Sequence, residues 1–178
     1  MTSTTSETKI SEVTSLSLDD NEEKAMIFIK HQDSETVWEI PTTAACHSKL
    51  IKDGIIDNND TELYGKEYKN PMIIPNTVKV ETIEFMVNYM VYYNYKDEKP
   101  APASPLKDIH ISVIFGDEYE LFKDVCENKM ELKEMVIYVN SLIESATYFG
   151  FKHLHKKYCA IVAYKLSSLS IEQLEKML

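Results

Sequence analysis

The chain has 178 residues, about one domain's worth, and is long enough to bury a core without a metal or disulfide. Its 29 Asp and Glu outweigh 19 basic residues, all Lys, for a net charge of −10. An acidic chain without Arg lacks the clustered positive charge that nucleic-acid phosphates or anionic membranes require, which excludes both as partners. Cys46, Cys126 and Cys159 are far apart and odd in number, so neither a disulfide framework nor a zinc knuckle is expected. No stretch approaches the ~20 apolar residues of a membrane span. The first residues have neither a basic nor an apolar leader region, so no signal peptide is expected. The expectation is a soluble protein of a reducing intracellular compartment, cytoplasm or nucleus.

Residues 1–24 contain ten Ser or Thr, no aromatic residue, and two Lys against six acids. They read as a disordered acidic tail that cannot bury enough apolar area to offset its ordering entropy. Ala25–Lys30 and the run around Val37, Trp38 and Ile40, separated by a short polar turn, predict a β-hairpin. Pro41 with Thr42 or Thr43 can open a helix; this one is predicted to run through Ala45, Leu50 and Ile51 to Gly54. Asp57–Asn70 is polar and acidic and reads as a loop. Met72–Ile74, between Pro71 and Pro75, reads as one more short strand suited to a sheet edge.

From Thr77 the period turns helical, with Val80, Ile83, Val87, Met90 and Val91 as the apolar face. Pro100, Pro102 and Pro105 mark an irregular linker. Gly116-Asp117-Glu118 introduces a helix over Tyr119–Val125. Met135, Val139, Leu142, Ala146 and Phe149 step by four and three along a long helix, with Gly150 as its C-terminal cap. A further helix carries Leu154, Tyr158, Ile161, Val162 and Lys165. Ser170 and Gln173 fit a capping box ahead of Leu174 and Met177. Strands first and helices afterwards, with one strand between, is an α+β domain: a small sheet packed on helices.

Candidate chemistry is sparse. Four scattered Gly cannot form a phosphate loop. Cys46 and His47 are adjacent, and adjacent helical residues do not face one another, so a nucleophile and its base are not indicated. His155 and Cys159 share a helix face with His153 nearby, but two ligands are too few for a metal site. The acids between 57 and 67 lack calcium-loop spacing and read as a solvated face. Tyr92, Tyr93 and Tyr95 form either an aromatic interaction patch or a mixture of core and rim. No catalytic residue, cofactor or metal is expected, which leaves a binding module.

Several segments, in order, resemble one family. Residues 144–154 (ESATYFGFKHL) are similar to an "AANYLDIKGLL" turn between helices. CAIVA at 159–163 resembles "CKTVAN", and SIEQLEK at 170–176 resembles "TPEEIRK". Upstream, PMIIPN at 71–76 resembles "PVPLPN" behind an acidic loop, KDE at 96–98 followed by prolines resembles "KDDPPPP", and Asp117–Val125 loosely resembles "WDQEFLKV". These are motifs of the Skp family, the adaptors of SCF (Skp–cullin–F-box) ubiquitin ligases, whose fold is the BTB/POZ domain. Elongin C shares that fold but stops near the first turn, whereas this chain continues two helices further.

The resemblance implies a non-catalytic adaptor that bridges a cullin to an F-box protein in ubiquitin-dependent degradation. It implies a BTB/POZ core over 25–134 and a helical part over 135–178 that faces the F-box or a dimer partner. The cullin contact would include Thr147 and Tyr148, with Thr147 in place of the family's Asn. The F-box contact would include Leu154, Tyr158, Ile161 and Val162, then Ile171 (where the family has Pro), Leu174 and Met177. Family members continue to two further helices that clasp the F-box, so a shortened platform is expected. The alternative is a BTB-type homodimerisation or decoy module that recruits no substrate.

The charge is uneven. Residues 25–118 hold nine Lys against fifteen acids, while residues 119–178 hold eight of each. The neutral half carries the apolar positions assigned to partners.

Overall fold

The computed structural model describes residues 25–57, 64–102, 110–127, 131–167, 169–170 and 172. The expected tail, the centre of the acidic loop, part of the Pro linker, and Ile171, Leu174 and Met177 lie outside these residues. The fold is mixed α and β, with a three-stranded sheet covered by helices.

β1 (Met26–His31) and β2 (Val37–Pro41) form the expected antiparallel hairpin, with Ile29 opposite Trp38. Period-two alternation turns Ile27, Ile29 and His31 into the core while Met26, Phe28 and Lys30 face outward. β3 (Met72–Ile74) pairs parallel with the other side of β1, giving the order β2-β1-β3. A parallel neighbour needs a long crossover, and the chain between β2 and β3 supplies it. His31 is buried at the end of β1. Its Nε2 donates to the Val78 carbonyl at 2.8 Å and its Nδ1 accepts from the Asp33 amide at 3.0 Å, a pattern that only the neutral imidazole satisfies.

The single helix expected over 42–54 is instead broken. α1 (Thr42–Ala45) ends at Cys46, α2 (Lys49–Ile51) restarts, and a wide turn over Lys52–Ile56 closes with the Asp57 amide on the Lys52 carbonyl at 2.8 Å. The cause lies in two side chains that bond backbone instead of continuing the helix. His47 Nε2 bonds the Tyr93 carbonyl at 2.8 Å. Ser48 Oγ caps α2 through the Ile51 amide and donates to the Phe149 carbonyl at 2.8 Å.

α3 (Val80–Tyr92) is the central helix. Its core face differs from the expected one: Ile83, Met86, Val87, Tyr89 and Met90 are buried, whereas Val80 and Val91 are exposed. The large aromatic side chains turn the helix so that Tyr89, and Tyr93 just beyond its end, point inward. The three clustered tyrosines thus divide. Tyr93 is core, Tyr92 is half-buried, and Tyr95 is 76% exposed with φ +62°.

α4 (Ile111–Phe115), which the sequence pattern did not announce, buries Ile111 and Phe115. Gly116 at φ +55° breaks it from a tight turn over Gly116–Glu118 that leads into α5 (Tyr119–Glu127), as the sequence predicts. α6 (Leu132–Phe149) buries all five residues of its expected stripe, Met135, Val139, Leu142, Ala146 and Phe149. It ends at Gly150 in the left-handed conformation, φ +69°. The position tolerates only Gly for a second reason: a Cβ there would stand 2.9 Å from Lys49 Cβ on α2. α7 (Leu154–Ser167) buries Leu154, Tyr158 and Ile161.

α7 is fixed by a buried polar cluster. Lys157 Nζ, with no solvent exposure, pairs with Glu118 Oε2 at 2.8 Å and donates to Tyr93 Oη at 2.9 Å. Tyr93 in turn donates to the other Glu118 oxygen, closing a triangle between α3, the 116–118 turn and α7. Lys157 Nζ also lies over the rings of Tyr93 and Tyr89, 5.1 and 5.6 Å from their centroids. Beside it, Glu98 accepts from Tyr89 Oη and, at 2.9 Å, from the His153 amide at the start of α7. Removing one partner of such a pair leaves the other charge buried, which costs about 3–5 kcal/mol. Lys157→Met and Glu118→Leu should each lower stability by about that much in urea unfolding, and the double variant should recover most of the loss. Strictly additive costs would show that the pair does not act as a unit.

Burial, reinforced by the neighbouring carboxylates, holds the phenols of Tyr89 and Tyr93 far above their ordinary 10.0. Burial is likewise the leading cause that holds Tyr158 well above that value, with Tyr138 adding to it. The unfolded chain therefore releases protons near pH 10 that the folded chain keeps, and stability falls as pH rises beyond that point. Burial lowers Lys157 and acts in the opposite sense, one group against three. In an ultraviolet pH titration, these three tyrosines should ionise only together with the loss of helical circular dichroism.

Candidate interaction surface

The adjacent α6 and α7 leave an apolar groove on their outer side, with a volume of about 560 Å³. α6 forms one wall through Val136, Ile137 and Ile143; α7 forms the other through Val162, Ala163 and Leu166. Ile137 is 61% exposed, an unusual state for a β-branched aliphatic residue in the middle of a helix. Val139, from the buried core stripe of α6, also lines the groove. Asn140, which donates to Glu144 at 3.0 Å, Ser141, whose hydroxyl donates to the Ile137 carbonyl, and the exposed Cys159 are its polar elements. Such a shape fits a helix-in-groove contact.

The structure places the residues implied as F-box contacts in two environments. Leu154, Tyr158 and Ile161 are completely buried in the core of this chain and present no surface in this conformation. Val162 is half-buried and lines the groove. Ile171, Leu174 and Met177 fall outside the described residues. The residues implied as cullin contacts lie together at the other end of α6. Thr147 is exposed and its hydroxyl donates back to the Ile143 carbonyl at 2.8 Å. Tyr148 is half-buried, edge-on to Phe149 with ring centroids 5.6 Å apart, and burial raises its phenol above the usual value. Its side chain thus has one packed face and one available face, the state favoured for an interface anchor.

The remaining sequence candidates are dispersed. His47 is engaged with the Tyr93 carbonyl, and Cys46 stands exposed beside it at a shallow depression shared with Thr43, Tyr95 and Lys96. His153 is lowered from its usual value, chiefly by desolvation. Among the described residues, no three of His, Cys, Asp or Glu converge at metal-binding distance. None of the described helices is long and apolar enough to cross a membrane.

Sequence reasoning found Val162 but missed Val136, Ile137 and Leu166. A signal was present: Val136/Ile137, Asn140 and Ile143 form a second stripe alongside the core stripe of α6. Two adjacent stripes exceed what one packing neighbour can cover. Compared with protein-family models the chain matches none, and no curated protein matches it.

The three thiols differ in exposure, and Cys159 reports on the groove. Cys46 and Cys159 are exposed, whereas Cys126 is half-buried and its thiol is pushed up to about 11 by burial. In the native protein at pH 8, two thiols should react quickly with an aromatic disulfide reagent and Cys126 slowly, as identified by peptide mass spectrometry. A slow Cys159 would mean that the groove is covered in solution.

Proposed function

We propose that this chain is a Skp-type adaptor with a BTB/POZ fold, joining a cullin scaffold to an F-box-type receptor in an SCF-like ubiquitin ligase. The observation that carries the reading is the open apolar groove between α6 and α7, on the electrically neutral half of an acidic chain. In this reading an amphipathic receptor helix lies in the groove, against Ile137, Val162 and Leu166. The cullin meets the far end of α6, at Thr147 and Tyr148. The adaptor performs no bond chemistry: it holds two partners through two separate surfaces inside the cell, in cytoplasm or nucleus. The ordered motifs from residue 71 to 176 and the small sheet backed by helices support it.

A purified cullin N-terminal domain tests the scaffold side by calorimetry, and an F-box peptide helix tests the receptor side. Tyr148→Lys should abolish cullin uptake and leave the F-box helix bound. Ile137→Asp should do the reverse, each losing at least about 2 kcal/mol as expected for a central anchor. Both variants should keep the wild-type circular dichroism spectrum. Failure of the folded protein to bind either partner at tens of micromolar would sink the adaptor reading. A stable homodimer in light scattering, with no cullin affinity, would replace it with the homo-oligomerisation module.

A further inference from the structure

The chain runs on beyond α7. The Leu169 amide closes on the Leu166 carbonyl at 3.2 Å, a tight turn at the Leu166 end of the apolar groove. The backbone is helical again at Glu172, an exposed residue. No more than residues 168–171 therefore separate α7 from the next helical segment. Helices joined by so short a connection pack side by side and antiparallel. α7 presents two apolar sides. Leu154, Tyr158 and Ile161 face the core, whereas Val162, Ala163 and Leu166 face the groove.

The sequence of residues 171–178 supplies a matching face. Ile171, Leu174, Met177 and Leu178 recur at three, three and one, a single stripe on a helix. Glu172 and Lys176 fall on the opposite side, and the exposure of Glu172 agrees with that orientation. The length fits as well. Seven steps of ~1.5 Å carry a helix about 10 Å back along α7, from the level of Ser167 to that of Ala160. Val162, Leu166 and, across the groove, Ile137 lie within that reach, and Cys159 lies just beyond it.

We propose that residues 171–178 dock in the groove of their own chain, as a helix antiparallel to α7, with Ile171, Leu174 and Met177 set against Leu166, Val162 and Ile137. The Cys159 end of the groove stays open. The docking is independent of the adaptor reading; its consequence for a receptor rests on that reading, because a receptor helix must displace the segment from Val162 and Leu166. A short tether gives an effective concentration of roughly millimolar, so an intrinsic affinity of only about 0.1 mM keeps the groove about ten-to-one closed. Any competitor is weakened by that same factor, about ten-fold. The segment thus sets a threshold that admits a strong receptor helix and rejects chance apolar segments.

A synthetic peptide of residues 169–178, titrated by calorimetry into the full chain, tests it. Leu174→Asp with Met177→Asp in the chain expels the segment, and this variant should take up the wild-type peptide about ten-fold more tightly than the unaltered chain does. The milder Leu174→Ala should move the affinity in the same direction by a smaller factor. Adding Ile137→Asp should abolish the uptake, and a peptide carrying Leu174→Asp should not bind. An F-box helix should gain the same factor on the expelled variant. Uptake of the peptide without uptake of the F-box helix would leave the docking standing and sink the adaptor reading. The proposal is overturned if the chain and its variants bind the peptide equally, if none binds it at millimolar concentration, or if Ile137→Asp leaves the uptake unchanged.

Discussion

A lysine ammonium with no contact with water cannot be tolerated unless its charge is matched and its protons are used. Lys157 meets that demand only because three distant pieces of chain arrive at one point: Tyr93 beyond the end of α3, Glu118 from the turn after α4, and α7 itself. The triangle fixes the axial position of α7, since sliding the helix by one residue would separate the ammonium from both acceptors. Hydrophobic packing alone, being non-directional, would not impose that register. The cluster contributes position more than stability.

Everything of functional interest follows from that placement. With α7 held against α3 and α5, α6 packs its core stripe inward, and among the described residues its second stripe is left exposed at Val136 and Ile137. Ser48 secures the other end of α6 by taking the Phe149 carbonyl, and Gly150 allows α2 to approach. The two proposed partner surfaces lie toward opposite ends of α6, whose C-terminal end is the one that Ser48 and Gly150 secure.

Much of the architecture was legible in the sequence. The hairpin, the Pro-flanked strand, the core stripe of α6 and the Gly150 cap all rest on local chemistry that period and turn residues report directly. What local pattern could not report was decided by partners far away in sequence. The 42–54 helix breaks because His47 and Ser48 bond carbonyls 46 and 101 residues distant. The face of α3 is rotated because Tyr89 and Tyr93 have polar partners inside. Glu118 and Lys157 look like ordinary surface charges until the fold brings them together. The same limit applies to the candidate site. Tyr158 and Ile161 share the spacing of surface-contact positions, but packing against α3 and α5 takes them into the core.

The sheet carries one further consequence, concerning the way this molecule can associate. Three strands leave two edges, and an open edge invites another chain to add a strand. Here β3 is only three residues long, stands between two prolines, and has its Ile73 amide occupied by the Tyr64 hydroxyl at 3.1 Å. β2 ends in Pro41, which has no amide proton to offer. Both borders resist lateral growth. Recognition by strand addition is thereby discouraged, and contact with other molecules is directed to the helical side of the fold.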